Sequence, residues 1–260
     1  MQVPVKTFDP YNIGDTPFVC RISDNWPARQ WDVDTLRNLI GSNKVELYDE
    51  GWGTPGSTYM KSSRVTTFNE FFDDLQNGNL QRMFLYKIME DEPQLRSSII
   101  IPWLPYRILH RFHFMFIGGK DAVTQCHQDI DWGNVLHTNL TGTKTFYLYS
   151  PKDQYNVYRH PSTMRSYVNP VHPDYEKYPK QKDAVCWSVT LQPGDTLFIP
   201  SGWFHHVVYH SISTSITLRF HKNWLQFLRG VYNLSVRMTF DKIMNKIVPR
   251  WWWNYKSTVR

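Results

Sequence analysis

The sequence predicts a mainly β protein whose centre is an antiparallel sandwich or barrel, with a mixed N-terminal part and a helical C-terminal part. From residue 107 to 221, short aromatic or β-branched segments alternate with Gly, Pro, Asn and Asp, which is typical of antiparallel strands and turns. After residue 221, apolar residues recur every three or four positions, which indicates helices. The predicted strands lie in RFHFMFIGG, KTFYLYSP, AVCWSVTLQPGD, TLFIPSGWFHHVVYH and SITLRFH.

Two helices are predicted in the first hundred residues. The segment RQWDVDTLRNLIG has Asp32 or Asp34 as a candidate N-cap, leucines and an isoleucine at helical spacing, and a glycine at its end. The segment TTFNEFFDDLQNG has a threonine cap at 66 or 67, an apolar stripe and a terminal Asn-Gly pair. Both patterns predict amphipathic helices packed on a core.

The rest of the N-terminal part predicts short strands and one loop. KVELYDE and QRMFLYKIM are apolar and β-branched enough to be strands. GWGTPGST, at 51–58, is a loop by composition.

Composition indicates a globular protein, since 41% of the 260 residues are hydrophobic and 20% are charged. The N-terminus lacks the apolar core of a secretory signal, and no run is long enough to cross a bilayer. The three cysteines form no CxxC motif, which agrees with a reducing compartment. We therefore expect a cytoplasmic or nuclear protein without a transmembrane segment.

The net charge of +6 belongs to the C-terminal segment, because residues 221–260 contain eight Lys or Arg and one acid. Its amphipathic spacing suits packing on the barrel or a homodimer contact. The final stretch, VPRWWWNYKSTVR, combines three tryptophans with cations, which suits stacking on nucleic-acid bases or a membrane interface. A solvated basic face is the remaining alternative.

The segment VTQCHQDIDWGNV contains candidate metal ligands. On a strand, His127 and Asp129 would project from the same face. A third ligand, His205, follows a Pro-Ser-Gly turn in a later strand. Two imidazoles and one carboxylate on one side of an ion leave coordination positions open, which suits ferrous iron in an oxygenase. An isolated HxD pair is common by chance, so the pair alone also fits ordinary polar residues.

The larger pattern resembles a known family. HQD at 127–129, GTK at 142–144, NPVHPDYEKYP at 169–179 and LQPGDTLFIPSGWFHHV at 191–207 resemble the Jumonji-C oxygenases, which depend on iron(II) and 2-oxoglutarate. The likeness is to the small hydroxylase branch, which includes the asparaginyl hydroxylase that inhibits hypoxia-inducible factor and the wybutosine tRNA hydroxylase.

The resemblance implies three regions. The core, 107–221, would be a double-stranded β-helix of the jelly-roll or cupin type. Residues 1–106 would be an α/β lead-in packed on it, and residues 222–260 a basic helical segment that joins two subunits in the resembled asparaginyl hydroxylase.

The resemblance also implies an iron site. His127, Asp129 and His205 match the ligands of Fe(II). His206 is one position late and is expected to pack or support the site. His137 is the only candidate for the extra ligand of a hydrolytic or isomerase cupin, and its spacing does not fit that alternative.

The cosubstrate residues implied by the family are less uniform. Thr124 and Lys144 match positions that bind the distal carboxylate of 2-oxoglutarate, where an ammonium gives charge-assisted contacts. Asn134 matches a polar position beside the cosubstrate, with turn formation as its other role. Arg219 replaces an Asn of several relatives and reaches either the cosubstrate or an acid. A tyrosine that contacts the cosubstrate aligns with either Phe84 or Tyr86, and of these only Tyr86 has a hydroxyl to donate.

The implied activity is hydroxylation of a protein side chain, with O2 consumed and succinate and CO2 as coproducts. The expected partner is a protein or peptide substrate. Hydroxylation of a modified tRNA base and N-methyl-lysine demethylation are the alternative reactions. A cupin binding module without a metal is the non-enzymatic alternative, and Lys144 with Thr124 argues against it because a scaffold needs no buried carboxylate anchor.

Overall fold

Two antiparallel β-sheets form the body of the protein in a computed structural model that describes residues 1–48, 62–109, 113–160 and 162–258. One sheet has nine strands and the other has four. The strands are β1 (Phe18–Cys20), β2 (Lys44–Tyr48), β3 (Arg64–Thr67), β4 (Arg82–Tyr86), β5 (Arg107–Ile108), β6 (Phe114–Gly118), β7 (Val123–His127), β8 (Asn134–Asn139), β9 (Lys144–Tyr149), β10 (Cys186–Leu191), β11 (Thr196–Ile199), β12 (Phe204–Tyr209) and β13 (Ser213–His221).

The eight strands β6 to β13 divide equally between the sheets. The small sheet has the order β10-β9-β12-β7, and the same part of the large sheet has the order β11-β8-β13-β6. Two four-stranded antiparallel layers of this kind are the predicted double-stranded β-helix, so the expected mainly β fold is confirmed.

The N-terminal strands extend the large sheet at both ends. β1 pairs with β11, while β4, β2 and β3 continue the sheet beyond β6. The predicted strands in KVELYDE and QRMFLYKIM are therefore part of the same sheet as the core. The boundary at residue 107 stays a prediction.

Helices cover the N-terminal extension of the sheet and end the chain. They are α1 (Val33–Ile40), α2 (Phe68–Gln76), α3 (Ile88–Asp91), α4 (Trp224–Tyr232), α5 (Met238–Ile247) and α6 (Pro249–Ser257), with a π-helical segment, Asn233–Arg237, between α4 and α5. Short 3₁₀ helices lie at Pro27–Gln30, Pro93–Ser98, Pro151–Asp153 and Pro179–Asp183.

The caps of the first two helices explain where they begin. Asp32, rather than Asp34, accepts a hydrogen bond from the Thr35 amide at the start of α1. Thr67 and Glu70 form a reciprocal capping box at the start of α2. Both helices were predicted from these signals. The predicted loop at 51–58 lies outside the described residues.

Strand β8 was not predicted, although all six of its residues are buried. Its sequence, NVLHTN, alternates poorly, and four of its six residues are polar. Two of its polar side chains form hydrogen bonds inside the sheet: Thr138 shares one with Thr196, and Asn139 accepts one from Ser213. Hydrogen bonds to side chains of neighbouring strands therefore stabilise β8, whose sequence lacks the alternating apolar pattern that predicts a strand.

An apolar cluster lies between the two sheets next to the candidate metal ligands. Phe146 and Val207 from the small sheet pack with Val135, Leu197 and Ile199 from the large sheet in one buried cluster. This packing holds the strands that carry the site. No described helix combines the length and the apolar character needed to cross a membrane.

Candidate metal centre and pocket

The two candidate histidine ligands are direct cross-strand neighbours. His127 ends β7 and pairs with His205 near the start of β12, and their ring centroids are 4.3 Å apart. Asp129 lies just beyond the end of β7, not on the strand as the sequence interpretation assumed. The loop nevertheless returns its carboxylate to the two imidazoles.

One ligand atom from each of the three residues lies within 4.8 Å of the other two. The Asp129 Oδ1 atom is 3.9 Å from Nε2 of His127 and 3.9 Å from Nε2 of His205. A donor set of two neutral imidazoles and one carboxylate, with an open side toward a pocket, fits a divalent first-row metal. The three residues therefore have the types and the spacing of a facial iron site.

The protonation of His127 suits coordination through Nε2. Its Nδ1 atom is 2.7 Å from the Gln125 carbonyl, an acceptor, so the proton lies on Nδ1 and the lone pair on Nε2. Burial and the neighbouring His205 lower the pKa of His127 to about 3. The imidazole is therefore neutral at physiological pH, as a metal ligand must be.

The carboxylate of Asp129 is held ionised by its surroundings. Burial by itself would raise the pKa of Asp129, but the Arg219 guanidinium and the two imidazoles outweigh burial and hold that pKa below its usual range. The Nη1 atom of Arg219 is 3.2 Å from Oδ2 of Asp129. The other oxygen, Oδ1, faces the imidazoles.

Arg219 also binds a second carboxylate that sequence reasoning missed. Its Nη1 atom donates to both oxygens of Asp131, at 2.8 and 2.9 Å. Of the two partners expected for Arg219, a cosubstrate or an acid, the structure shows acids, namely Asp129 and Asp131. The Arg219 side chain also lines the pocket. The repeated DxD spacing at 129 and 131 was the available signal for this pair.

A cavity of about 300 Å³ opens beside the metal ligands. Its wall is mostly apolar, with a few polar groups among the aromatic and aliphatic side chains. The polar lining includes Arg82, Thr124, Gln125, His137, Thr217 and Arg219, and the apolar lining includes Phe84, Phe114, Phe116, Ile130, Ile199, Val207 and Leu234. Such a composition suits a small ligand with one or two anchoring groups.

Thr124 lies in this pocket with a partner that was not predicted. Its Oγ1 atom accepts a hydrogen bond from Nη1 of Arg82, which comes from β4 in the N-terminal region. The isolated arginine in QRMFLYKIM carries no sequence signal for such a role. A guanidinium and a hydroxyl can both donate hydrogen bonds to a carboxylate.

Lys144 is fully buried but does not itself line the cavity. Its Nζ atom donates to Ser215 Oγ at 2.6 Å and lies 4.9 Å from the ring centre of Tyr209, which is a cavity residue. Burial lowers the pKa of Lys144 well below its usual value, and no acid of the described chain offsets that effect. An anion beside it would restore the charged form.

Tyr86 and Asn134 do not contact the cavity, which corrects two expectations. The Tyr86 hydroxyl turns away and donates to Glu92, so Phe84 rather than Tyr86 lines the pocket. Asn134 donates to the Phe220 carbonyl and to Gln226, and its oxygen accepts from the Ser201 amide. Asn134 therefore connects β8 to β13, to α4 and to the turn at Ser201.

His206 and His137 are both buried, and neither belongs to the converging ligand triad. His206 points toward Tyr147, and burial lowers its pKa to about 4. His137 lines the pocket, and its Nε2 atom is buried with no hydrogen-bond partner among the described residues. His137 is therefore a wall residue of the pocket and is not one of the three converging ligand residues.

The C-terminal helical segment reaches the pocket, which the sequence interpretation did not predict. Leu234, in the π-helical segment, is a wall residue. Gly230 is in contact with the loop after Asp129, because a methyl group on Gly230 would overlap the Asp131 carbonyl oxygen. Only glycine permits this approach of α4 to the site.

Comparison with known proteins places the chain among cupin-like and JmjC proteins. A family model described as "Cupin-like domain" matches residues 4–255. The chain is 37% identical to HSPB1-associated protein 1 of Rattus norvegicus over 72% of this chain and 44% of the relative. It is 28% identical to lysine-specific demethylase 8 of Xenopus tropicalis, over 80% of this chain and 49% of the relative.

A third relative is JmjC domain-containing protein D of Dictyostelium discoideum, which is 27% identical over 79% of this chain and 52% of the relative. The chain spans about half the length of these curated relatives.

Proposed function

The chain belongs to the cupin-like domain family that includes JmjC proteins, and from this premise we propose that it is an iron(II)- and 2-oxoglutarate-dependent oxygenase that hydroxylates a protein side chain. The observation that carries the proposal is the convergence of the His127, Asp129 and His205 ligand atoms within 4.8 Å at the edge of a cavity.

His127, Asp129 and His205 would hold the iron. Iron with 2-oxoglutarate and O2 supplies the oxidising power, while the products would be succinate, CO2 and a hydroxylated substrate. The protein supplies the donor set and its orientation. Arg219 keeps Asp129 ionised and occupies its Oδ2 atom, which leaves Oδ1 directed at the two imidazoles.

Three side chains in or beside the pocket could bind the distal carboxylate of 2-oxoglutarate. Thr124 and Arg82 line the pocket and already share a hydrogen bond. Lys144 lies against Tyr209 in the wall and lacks an acidic partner in the described chain. We assign the anchoring of the distal carboxylate to Thr124 and Lys144, as the family resemblance implies, with Arg82 as an added contact.

The apolar wall would protect the reacting centre from water. Phe114, Ile199 and Val207 line the cavity together with the metal ligands, and Leu234 adds an apolar side chain from the C-terminal helical segment. Exclusion of water strengthens the charge interactions inside the site and limits side reactions.

Protein side-chain hydroxylation is the leading reaction, and the same site chemistry supports two others. One relative is named a lysine-specific demethylase, which makes N-methyl-lysine demethylation an alternative. Hydroxylation of a modified tRNA base is the other. Trp252 of the WWW stretch is buried and donates to Asp241, so Trp252 does not serve as a stacking surface for bases.

The test is succinate production from 2-oxoglutarate with iron(II), using panels of peptides, methylated peptides and tRNA. Native protein should form succinate and a product of increased mass with a substrate of one panel. His127→Ala and Asp129→Ala should form neither. His172→Ala changes an exposed histidine and is the matched control, with native turnover expected. A native protein that binds iron(II) no better than the two alanine variants and never turns over would be a non-enzymatic cupin module.

A further inference from the structure

One face of the C-terminal helical segment carries two arginines with a buried amide between them. Arg229, Asn233 and Arg237 are spaced four residues apart, so they follow one another along the helix with a rise of about 6 Å per step. Asn233 is only 1% exposed, and its Nδ2 atom is buried without a hydrogen-bond partner in the described chain. The π-helical segment begins at this residue, and such segments are frequent at functional sites.

A third arginine, Arg159, lies near Arg229 and Arg237 and beside the chain segment of the metal ligands. Arg159 donates through Nε to Gln128 Oε1 at 3.1 Å, while its Nη2 atom is buried with no partner in the described part of the chain. Burial, followed by the charges of Arg237 and Arg229, lowers the pKa of Arg159 to about 10. Contacts link Arg159 to Arg229 as well, because Gln128, which Arg159 contacts, donates to the Gly202 carbonyl, and Gly202 lies beside the Trp132 ring on which Arg229 stacks.

No carboxylate of the described residues forms an ion pair with Arg159, Arg229 or Arg237. Arg229 instead stacks on the Trp132 ring, 4.2 Å from its centre, and Arg237 lies 5.9 Å from the ring centre of Tyr232. Clustered cations without an acid destabilise a fold, and buried donors without acceptors add to that cost. A bound anion would relieve both effects.

The cluster adjoins the candidate active site. Gln128, which Arg159 contacts, lies between His127 and Asp129 in the chain. Leu234, the cavity residue on the π-helical segment, follows Asn233 directly. An anion bound by the cluster would thus sit at the rim of the pocket, beside the path of a substrate.

We propose that Arg159, Arg229 and Arg237, with the Asn233 amide, form a binding site for a phosphate monoester on a peptide substrate. Guanidinium groups bind phosphate oxygens through paired hydrogen bonds, and clusters of arginines recognise phosphorylated residues. A monoester carries a charge of about −1.5 to −2 at neutral pH, which matches a local group of three cations. A nucleic-acid strand has one charge per nucleotide and would instead need cations spread along a groove.

The choice of a peptide as the carrier rests on the proposed function, whereas binding of phosphate does not. The experiment therefore titrates the full chain with inorganic phosphate by calorimetry, at low ionic strength and without added iron. Native protein should show saturable binding at one site. Arg229→Gln and Arg237→Gln should each weaken that binding at least tenfold, and the double variant should show none.

Lys242→Gln and Lys246→Gln are matched controls, because each removes one positive charge from an exposed position of α5. Both should bind phosphate as the native protein does, and thermal unfolding should confirm that all variants are folded. A second arm compares a phosphoserine peptide with its serine counterpart and with a single-stranded oligonucleotide, and the phosphopeptide should bind best.

Three results would overturn the proposal. One is the absence of phosphate binding by native protein, and another is equal binding by native protein and the double arginine variant. The third is an oligonucleotide that binds more tightly than the phosphopeptide and loses its affinity in the same variants. Loss of oxygenase activity in the separate succinate test would leave these binding results unchanged.

Discussion

The Nη1 atom of Arg219 lies 3.2 Å from Oδ2 of Asp129, the carboxylate that faces the two candidate histidine ligands. The same nitrogen binds Asp131 at 2.8 Å, so one buried guanidinium pairs with the half-buried Asp129 and the buried Asp131. The sequence motif places Asp129, but this arginine fixes which of its oxygens is available to a metal.

Arg219→Met should therefore damage both folding and metal binding. Breaking a buried ion pair by removing one partner typically costs about 3–5 kcal/mol, because the remaining charges are left uncompensated. We expect urea unfolding to show a loss of that size, and iron(II) affinity to fall at least tenfold. Arg219→Lys, which retains the charge, should lose less of both. A loss of stability below about 1 kcal/mol for Arg219→Met would contradict the role given to this residue.

Lys144→Met should separate ligand binding from stability. The ammonium is buried with one hydrogen bond and no acid in the described chain, so its replacement by an apolar side chain of similar length should leave the free energy of unfolding unchanged or increase it. The affinity for 2-oxoglutarate, measured by calorimetry, should fall at least tenfold. Lys152→Met, at an exposed position, is the control. Native affinity in Lys144→Met would remove Lys144 from the cosubstrate site.

The stability of the protein should fall as the pH is lowered from about 6.5 to 4. Burial and nearby cations lower the pKa of His160 to about 4, and its Nδ1 atom accepts hydrogen bonds from the Ser162 and Thr163 amides. Between pH 4 and 6.5 the unfolded chain binds a proton that the folded chain does not, so acid favours unfolding.

The check on this pH dependence is denaturant unfolding at several pH values in native protein and in His160→Asn, which cannot titrate. The variant should lose stability less steeply across the window. Identical slopes in the two proteins would contradict the assignment to His160.

A homodimer contact is one of the arrangements predicted for the C-terminal segment, and the exposed face of its helices favours it. Along 225–247, exposed apolar side chains recur every three or four residues, as in the seam of a paired helix. This stripe consists of Leu225, Leu228, Tyr232, Val236, Phe240, Ile243 and Ile247. At 1.5 Å per residue it is about 35 Å long, which is enough for a helix-to-helix contact with a second copy.

Light scattering coupled to size exclusion should give twice the mass of one chain. Phe240→Glu with Ile243→Glu should halve that mass, while Lys242→Gln should not change it. A native protein with the mass of one chain at micromolar concentration would rule out the dimer.

The sequence was most informative where chemistry depends on short spacings. HxD and a later histidine predicted three side chains that do converge, and the β periodicity predicted most of the core strands. Thr124, which the family resemblance implied, lines the same pocket as His127. Residues three apart would face opposite sides of a regular strand, but the pairing of β7 with β12 shifts register between these two positions.

The remaining features depend on tertiary contacts that no local pattern encodes. Arg82 reaches the pocket because β4 joins the edge of β6, and Leu234 reaches it because Gly230 allows α4 to approach. Tyr86 was wrongly predicted to contact the cosubstrate. The reason is that the pairing of β4 with β6 changes register between Met83 and Tyr86, and Leu85 adopts a positive φ there. Such an irregularity alters which side chains face the site.

The most direct test of the account is a crystal of the protein grown with iron(II) and 2-oxoglutarate without oxygen, measured at the iron absorption edge. We predict a single strong anomalous peak bound by His127 Nε2, Asp129 Oδ1 and His205 Nε2. The absence of a peak among these three atoms, at full iron loading and with the cavity open, would contradict the central claim that they form one iron site.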